Sequence, residues 1–297
     1  MLHGAAFIHE VELWSPLRGN LFRCVVASAA GQQEREASIE AGVTGAARVV
    51  RRVLATCRPE LSPSGREDVL VGVPVYCGAR LATVAVWRCH SPSGQGGGIE
   101  VWEPSRRGDL VHAEGFYGTL TEFELSSRLA RFAQGIGLPG IAWDRCKPHI
   151  IDDVRASPLF LRAALAREHA LAVGLGVPIV RGGAVEHVLV FLTAQRVPPA
   201  SAIEIWVPDT QGRLWLEHGT YLPGLEALAR ASRTTCLMPG EGAAGRAASA
   251  KEPLVWTRED GGNDATDRDA THAGLTWGVA LPILRDEVLT AVLLLRS

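Results

Sequence analysis

The chain has 297 residues, of which 47% are hydrophobic and 21% charged, and its net charge is −2. This composition is typical of a soluble globular protein with two or three domains. Because 30 basic residues are balanced by 32 acidic ones, we expect neither nucleic acid nor an anionic membrane surface as a partner.

Targeting signals and cysteine spacing indicate the cellular compartment of the chain. The first 14 residues lack the basic segment and the apolar run of a secretory signal peptide. The most apolar stretch, residues 171–194, is interrupted by Pro178, Arg181 and Glu186, which disfavours a transmembrane helix. The six cysteines have no Cys-x-x-Cys spacing and are interpreted as free thiols. The sequence therefore predicts a cytoplasmic protein without a metal site.

One short phrase occurs three times along the chain. It reads EVELWSP at residues 10–16, IEVWEP at 99–104 and IEIWVP at 203–208. A second landmark, GVP or ALP, ends at Pro74, Pro178 and Pro282, and these prolines are evenly spaced. The repetition predicts three units of similar structure, at residues 1–91, 98–195 and 201–297, joined by SPSGQGGG (91–98) and QRVPPAS (195–201).

Each predicted unit begins with a β-hairpin, continues with helices and ends with two apolar strands. In the second unit Thr121 and Glu124 form a capping-box pattern, and Leu125, Leu129 and Phe132 are expected on the buried face of one helix. The first unit lacks the helix before its GVP strand. In the third unit the acidic segment 257–272 is interpreted as a solvated loop that could serve as a lid. The fold class is α+β.

Residues 137–194 resemble the second half of a GAF domain, and residues of the third unit fit the same pattern. The matching positions are Gly137, Pro139, Gly140, Pro148, Asp153, Pro158, Phe160, Arg162, Val177, Pro178 and Gly183, then Gly242, Gly245, Pro253, Gly274, Leu275 and Pro282. The resemblance implies three tandem GAF-like units, each an antiparallel sheet with helices packed on it. All three lack the long N-terminal helix with which GAF domains usually begin.

A GAF-type pocket in the second unit would lie between the sheet and the segment before the GVP strand. Its candidate ligand-binding residues are Trp143, His149, Asp153, Arg162 and His169. Arg162 could hold a carboxylate or phosphate with two hydrogen bonds, or it could cap a helix or pair with Asp153. His169 could equally be a core or helix-end histidine. If any unit binds a small molecule, we expect it to be the second, because it keeps the whole segment.

The residues contain no recognised catalytic motif, so we expect no enzymatic activity, and no cofactor is indicated. GAF domains are known mainly as small-molecule sensors and dimerising regulatory modules. The resemblance thus implies a regulatory protein that binds a small molecule, which could be anionic, and signals through a protein partner or a homodimer. The alternative is a protein–protein interaction scaffold whose pockets are filled by its own side chains. An open cavity in the second unit would favour the sensor.

Overall fold

The computed structural model describes residues 6–39, 44–91, 97–260 and 264–297. It contains three antiparallel sheets, which define units one, two and three in chain order. Residues 92–96 of the first predicted joint and residues 261–263 of the predicted acidic loop lie outside the described residues.

Unit one is a six-stranded sheet with a helix packed on one face. The strand order is β3-β2-β1-β6-β5-β4. Its elements are β1 (Ile8–Pro16), β2 (Leu21–Ser28), β3 (Gly31–Ser38), α1 (Gly45–Thr56), β4 (Glu60–Ser64), β5 (Asp68–Cys77) and β6 (Arg80–His90).

Unit two repeats that strand order as β9-β8-β7-β12-β11-β10 and adds two further helices. Its elements are β7 (Gly97–Pro104), β8 (Asp109–Phe116), α2 (Thr121–Leu129), β9 (Arg131–Ala133), α3 (Gly137–Arg145), β10 (His149–Ile151), α4 (Ala163–Glu168), β11 (Leu171–Arg181) and β12 (Ala184–Ala194).

Unit three has five strands in the order β14-β13-β17-β16-β15. A single bridge between Leu214 and Leu237 stands where the other units have a sixth strand. Its elements are β13 (Ala202–Pro208), β14 (Leu214–Tyr221), α5 (Glu226–Thr234), α6 (Gly242–Ala250), β15 (Leu254–Thr257), a 3₁₀ turn (Arg258–Asp260), α7 (Ala265–His272), β16 (Trp277–Arg285) and β17 (Val288–Arg296).

The predicted α+β fold of three sheet-and-helix units is confirmed, but two local predictions are wrong. Helix α2 buries Phe123 and Ser127 and leaves Leu125 and Leu129 exposed, and no side chain caps its first turn. The acidic segment of unit three is not a solvated loop, because it contains α7, which buries Asp267. Its aspartates favour helix formation, since Asp264 caps α7 by accepting from the backbone N–H groups of residues 266 and 267.

The three sheets cover one another. Each sheet turns its helix-free face inward, where residues such as Trp87, Phe191 and Leu293 join one continuous core. The GVP or ALP strands β5, β11 and β16 meet at the centre around an apolar cavity of about 30 Å³, with Pro74, Pro178 and Pro282 in its wall. Neighbouring sheets thus bury the face that a lone unit would expose.

The units form a closed ring with three contacts between neighbours, which we call seams. At the seam of units one and two, Glu60 on β4 lies near Glu114 on β8. The pKa of Glu114 is raised mainly by burial and also by the negative charge of Glu60. At the seam of units two and three, His149 on β10 lies near His218 on β14, and burial, Arg145 and His218 lower the pKa of His149. The third seam joins β15 of unit three to β2 of unit one.

Three residues that pair with glycine or alanine of the central strands occupy equivalent positions at these seams. Glu60 pairs with Gly72, His149 with Gly176 and Leu254 with Ala280. The seams therefore share one geometry but carry different residues at the equivalent position: a glutamate, a histidine and a leucine.

Glycines in α3 and α6 allow a close approach of two backbone segments. A Cβ at Gly140 would lie 2.3 Å from the Ala133 carbonyl oxygen, and one at Gly245 would lie 2.5 Å from that of Met238. Because neither backbone can yield cheaply, we expect Gly140→Ala and Gly245→Ala each to lower the unfolding free energy by about 1–3 kcal/mol.

The matched control is Gly45→Ala in α1, where the new methyl would meet only the flexible end of Leu70 at 3.1 Å. Urea denaturation should place this variant within about 1 kcal/mol of wild type. Equal stability of all three variants would contradict the close approach.

Candidate functional site

The three-fold phrase of the sequence forms a buried glutamate–tryptophan pair in each unit. Residues two apart on a strand share a face, so the indole N–H of Trp14, Trp102 and Trp206 donates to Glu12, Glu100 and Glu204 over 3.0, 3.0 and 3.1 Å. All six residues are at most 2% exposed. Burying a carboxylate costs free energy unless a cation lies beside it. Each glutamate–tryptophan pair therefore marks a place where the fold must supply a cation.

In unit two that cation is Arg162, which enters from the segment before α4. Its guanidinium donates to both carboxylate oxygens of Glu100, over 2.5 and 2.8 Å, and contacts Ser127. Tyr117 and Ser127 also donate to Glu100, over 3.2 and 2.7 Å. Burial alone would raise the pKa of Glu100, but Arg162, Ser127 and the Trp102 indole lower it below its ordinary value. Glu100 is therefore ionised.

Aromatic rings surround the Arg162 guanidinium and complete the filling of unit two. The ring centres of Phe123, Phe160, Trp102 and Phe132 lie 4.6, 5.3, 5.6 and 5.7 Å from its central carbon. Cation–π attraction of this kind stabilises a buried guanidinium. The space between the sheet and the helices of unit two is thus occupied by the protein's own arginine, which is 6% exposed.

Unit three builds the same network from a different arginine. Tyr221 and Ser232 donate to Glu204 over 2.9 and 2.5 Å, which matches Tyr117 and Ser127 of unit two. The cation is Arg296 of β17, which donates to Glu204 over 3.1 Å and also contacts Asp267 of α7. Burial raises the pKa of Asp267 to about 6, although Arg296 opposes the shift.

Unit one is open where units two and three are filled. Arg88 pairs in register with Leu70, as Arg296 does with Gly278, so the two arginines are equivalent. Arg88 donates to Glu12 over 3.0 Å and also contacts Glu10. Its side chain is 36% exposed, against 1% for Arg296, because β4 leads directly into β5 with no helix between them.

A cleft of about 420 Å³ lies beside Arg88. Polar and charged side chains from α1, β1, β4, β5 and β6 line it: His9, Arg48, Ser62, Ser64, Asp68 and Arg88. Burial lowers the pKa of His9, so its imidazole is neutral at pH 7. Asp68 accepts from His90 over 2.8 Å if that nitrogen carries the proton. The volume falls within the usual range for small-molecule sites.

The structure does not bring the five predicted site residues together. Arg162 pairs with Glu100, while Asp153 pairs with Arg155 over 2.7 Å. Trp143 lies in another cleft of about 400 Å³, which also includes Arg285 of unit three. His149 belongs to the seam of units two and three, and His169 lies 4.0 Å from Glu122 of α2. Ligand binding by these residues stays a prediction, and a ligand held by Arg162 would have to compete with Glu100.

The sequence contains a pattern that indicates the buried glutamate networks, although the prediction of the site did not draw on it. Each repeated tryptophan follows a glutamate by two residues, and an acidic residue that recurs on a buried strand requires a partner. Leu192 holds the position of Arg88 and Arg296 in unit two. Only the fold shows that Arg162 replaces it from another segment.

Three of the six cysteines, Cys24, Cys89 and Cys146, are buried. Burial raises the pKa of Cys24 to about 12 and also raises the pKa values of the Cys89 and Cys146 thiols. Within the described part of the chain, no three His, Cys, Asp or Glu side chains are placed to hold a metal ion together. Nor do the described residues form a helix long and apolar enough to span a membrane.

Comparisons with known proteins find similar solved structures for part of the chain. No protein-family model matches the chain, and no curated protein matches it. Among solved structures, it is similar to a GAF domain/HD domain protein from Geobacter sulfurreducens, with 22% identity over 35% of this chain and 67% of that one, at a TM-score of 0.30. The nlh2 GAF domain of A. aeolicus, in an inactive state, matches at 20% identity, 34% and 57% coverage and a TM-score of 0.27.

A third similar structure is the free methionine-R-sulfoxide reductase from Neisseria meningitidis in complex with its substrate. It matches at 21% identity, covering 34% of this chain and 53% of that one, with a TM-score of 0.26. These matches span about one unit here and roughly half to two thirds of the other chains. Proteins with GAF domains, which the sequence of the units resembles, are thus among the similar solved structures. The similarity concerns fold alone, and no activity follows from it.

Proposed function

We propose that the chain is a non-enzymatic regulatory protein that binds a small anionic molecule in the cleft of unit one. Occupancy of that cleft is then passed to a protein partner or to a second copy. One observation carries this assignment: Arg88 is partly exposed at the cleft, whereas the equivalent Arg296 is covered by Asp267 of α7.

Unit three supplies an internal template for the ligand. There, a carboxylate from α7 reaches Arg296, which also holds the buried Glu204. Unit one offers Arg88 and the buried Glu12 in the same relation. A ligand carboxylate would occupy the place that Asp267 takes in unit three. Charge-assisted hydrogen bonds of this type are among the stronger polar contacts in proteins.

The rest of the cleft selects among anions. Arg48 is an exposed second cation on α1. Because Glu10 already contacts Arg88 and offsets its charge, Arg48 supplies further positive charge for an anion. Asp68 and the hydroxyl groups of Ser62 and Ser64 can accept hydrogen bonds on the same lining. The ligand class that fits is a small carboxylate that also carries a hydroxyl or ammonium donor.

Replacing Arg48 by glutamine should weaken carboxylate binding while leaving the fold intact. The expected loss in affinity is about tenfold to a hundredfold, because one charge-assisted hydrogen bond is removed. Isothermal titration with malate, glutamate and succinate as probes, supported by thermal shift, measures it. The matched control is Arg51→Gln, because Arg51 is exposed on the same helix and does not line the cleft.

Three results would count against the cleft. Failure of all three probes to bind at millimolar concentration removes the carboxylate class. Equal losses for Arg48→Gln and Arg51→Gln would mean that charge on α1 acts non-specifically. Binding that survives both variants but is lost in Arg162→Lys would restore the predicted site in unit two.

An interaction scaffold is the second candidate, and the filled interiors of units two and three favour it. Their glutamates are neutralised by Arg162 and Arg296 without any ligand. In that case the chain would act through its surfaces alone. A stable complex with a protein partner, unchanged by Arg48→Gln and by the carboxylate probes, would support this reading.

A further inference from the structure

A cleft of about 400 Å³ lies between units two and three. Unit three contributes Arg285, the last residue of β16. Unit two contributes side chains from α3, from β12 and from the segment before α3, namely Trp143, Asp144, Val185 and Gln134. The described lining has no residue in common with the cleft of unit one. We call it the seam cleft, because two neighbouring units form its walls.

Arg285 lacks the contacts that its counterpart in unit two makes. Arg181 and Arg285 end β11 and β16 and pair with the first residues of β12 and β17, so their positions are equivalent. Arg181 reaches into unit one, where its guanidinium lies 5.4 Å from the centre of the Tyr76 ring. Arg285 is exposed and, within the described part of the chain, forms neither an ion pair nor a cation–π contact.

The residue at the position of Tyr76 explains why Arg285 has no ring beside it. Tyr76 and Val180 each follow a register shift and precede the last residue of their strand, so they are equivalent. The Tyr76 hydroxyl donates to the carbonyl of Cys57, the C-cap of α1, over 3.1 Å. At Cys146, the C-cap of α3, the Thr290 hydroxyl of unit three donates over 2.9 Å. The second seam thus keeps the contact to the carbonyl but lacks the ring.

An indole faces the seam cleft from unit two. Trp143 lies three residues before the C-cap of α3, and the equivalent residues of α1 and α6 are Leu54 and Ala248. Trp143 is half-buried against the core and lines the cleft with Arg285. Because these two side chains share the cleft without a cation–π contact, a flat ring can lie between the indole and the guanidinium.

Charges on the two walls select which ring fits. Among the described lining residues, Arg285 is the cation and Asp144 the carboxylate. The Asp286 carboxylate also lies at the cleft, because a Cβ on Gly183 of the lining would clash with it. Since two carboxylates flank one guanidinium, a ligand that brings only a carboxylate gains little attraction. A ligand that also carries an amino group satisfies both walls.

We propose that the seam cleft binds a flat aromatic ring that carries a carboxylate at one end and an amino group at the other. The ring stacks on Trp143, the carboxylate pairs with Arg285 of unit three, and the amino group donates to Asp144 of unit two. The ligand therefore contacts both units and supplies the ring that this seam lacks. The site is independent of the carboxylate cleft in unit one.

Isothermal titration of the full chain with para-(aminomethyl)benzoate tests the proposal. Three matched probes each lack one feature: para-toluate lacks the amino group, para-methylbenzylamine lacks the carboxylate, and the cyclohexane analogue of the first probe lacks the aromatic ring. Each matched probe should bind about tenfold more weakly or worse, because it loses one charged contact or the stacking on the indole.

Trp143→Leu and Arg285→Gln should each weaken binding of para-(aminomethyl)benzoate by about tenfold or more. Both variants should fold, because unit one holds leucine at the Trp143 position and Arg285 is exposed. The matched control is Arg181→Gln, which removes the equivalent arginine at the other seam and should leave the affinity unchanged. Thermal unfolding shows whether each variant is folded.

Failure of para-(aminomethyl)benzoate to bind at millimolar concentration overturns the seam cleft, as does equal affinity for the cyclohexane analogue. An unchanged affinity in Trp143→Leu has the same meaning. Loss of binding in Arg48→Gln but not in Arg285→Gln would place the probe in unit one, which overturns the seam cleft and leaves the proposed function standing. Intact binding of the aromatic probe while malate, glutamate and succinate fail would remove the proposed function alone.

Discussion

Replacement of Arg162 by alanine is expected to lower the unfolding free energy by about 3–5 kcal/mol. The variant leaves Glu100 buried at 0% exposure with a tyrosine, a serine and an indole as its remaining donors. Removing one partner of a buried ion pair costs this much because the other charge stays uncompensated. Urea denaturation at pH 7 measures the change.

Two further variants separate charge from packing. Arg162→Met/Glu100→Gln removes both charges and keeps side-chain volume, so it should recover most of the lost stability. Arg155→Ala breaks the exposed pair with Asp153, whose side chain is 43% exposed, and should cost less than about 1 kcal/mol. A stable Arg162→Ala protein with weakened anion binding would instead support Arg162 as the ligand anchor.

Acidification from pH 7 to pH 4 should destabilise the wild-type protein by about 3 kcal/mol more than a His187→Gln variant. His187 on β12 is 6% exposed. Burial, with Arg58 adding to it, lowers its pKa from 6.5 to about 4, and the nearby Glu103 at 4.0 Å does not reverse the shift.

The sign follows from proton uptake. Because the folded pKa lies below the unfolded one, the unfolded chain binds more protons between pH 6.5 and pH 4. The stability contributed by neutral His187 is therefore present above pH 6.5 and lost as the pH falls to 4. Guanidinium unfolding at several pH values measures it, with His272→Gln as the control because His272 is exposed on α7. Parallel curves for wild type and His187→Gln would contradict the burial effect.

Asp267 acts in the opposite direction over nearly the same pH range. Its folded pKa, raised from 3.8 to about 6, favours the protonated form, so its contribution is present below pH 3.8 and lost as the pH rises through 6. Asp267→Asn should therefore remove a decline in stability of about 2 kcal/mol between pH 4 and pH 6. The stability of His187→Gln is therefore best compared with that of its parent twice, once with Asp267 present and once in the Asp267→Asn variant.

The architecture was readable from the sequence because its signals are local. Alternating strands, turn glycines and evenly spaced prolines report the backbone of each unit directly, and the repeated tryptophans proved to be buried strand residues. The mutual arrangement of the units was not readable, since no local pattern states that Trp87 and Phe191 share a core.

The site was harder to predict because its partners come from distant positions. Glu100 and Arg162 are 62 residues apart, and the equivalent cations of the other units come from β6 and β17. Leucine periodicity also misled, because α2 buries Phe123 and Ser127 and turns Leu125 and Leu129 outward. Helical spacing identifies which residues share a face, but it does not say which face the protein covers.

The closed ring has a consequence for symmetry. Three separate copies of one unit could close the same ring as a homotrimer, but identical subunits would carry the same residue at every seam. In the fused chain, equivalent positions hold Glu60, His149 and Leu254. A substitution at one of these positions therefore changes one seam and leaves the other two as they are. A homotrimer would have to loosen all its contacts together, whereas this single chain can loosen one and keep the other two.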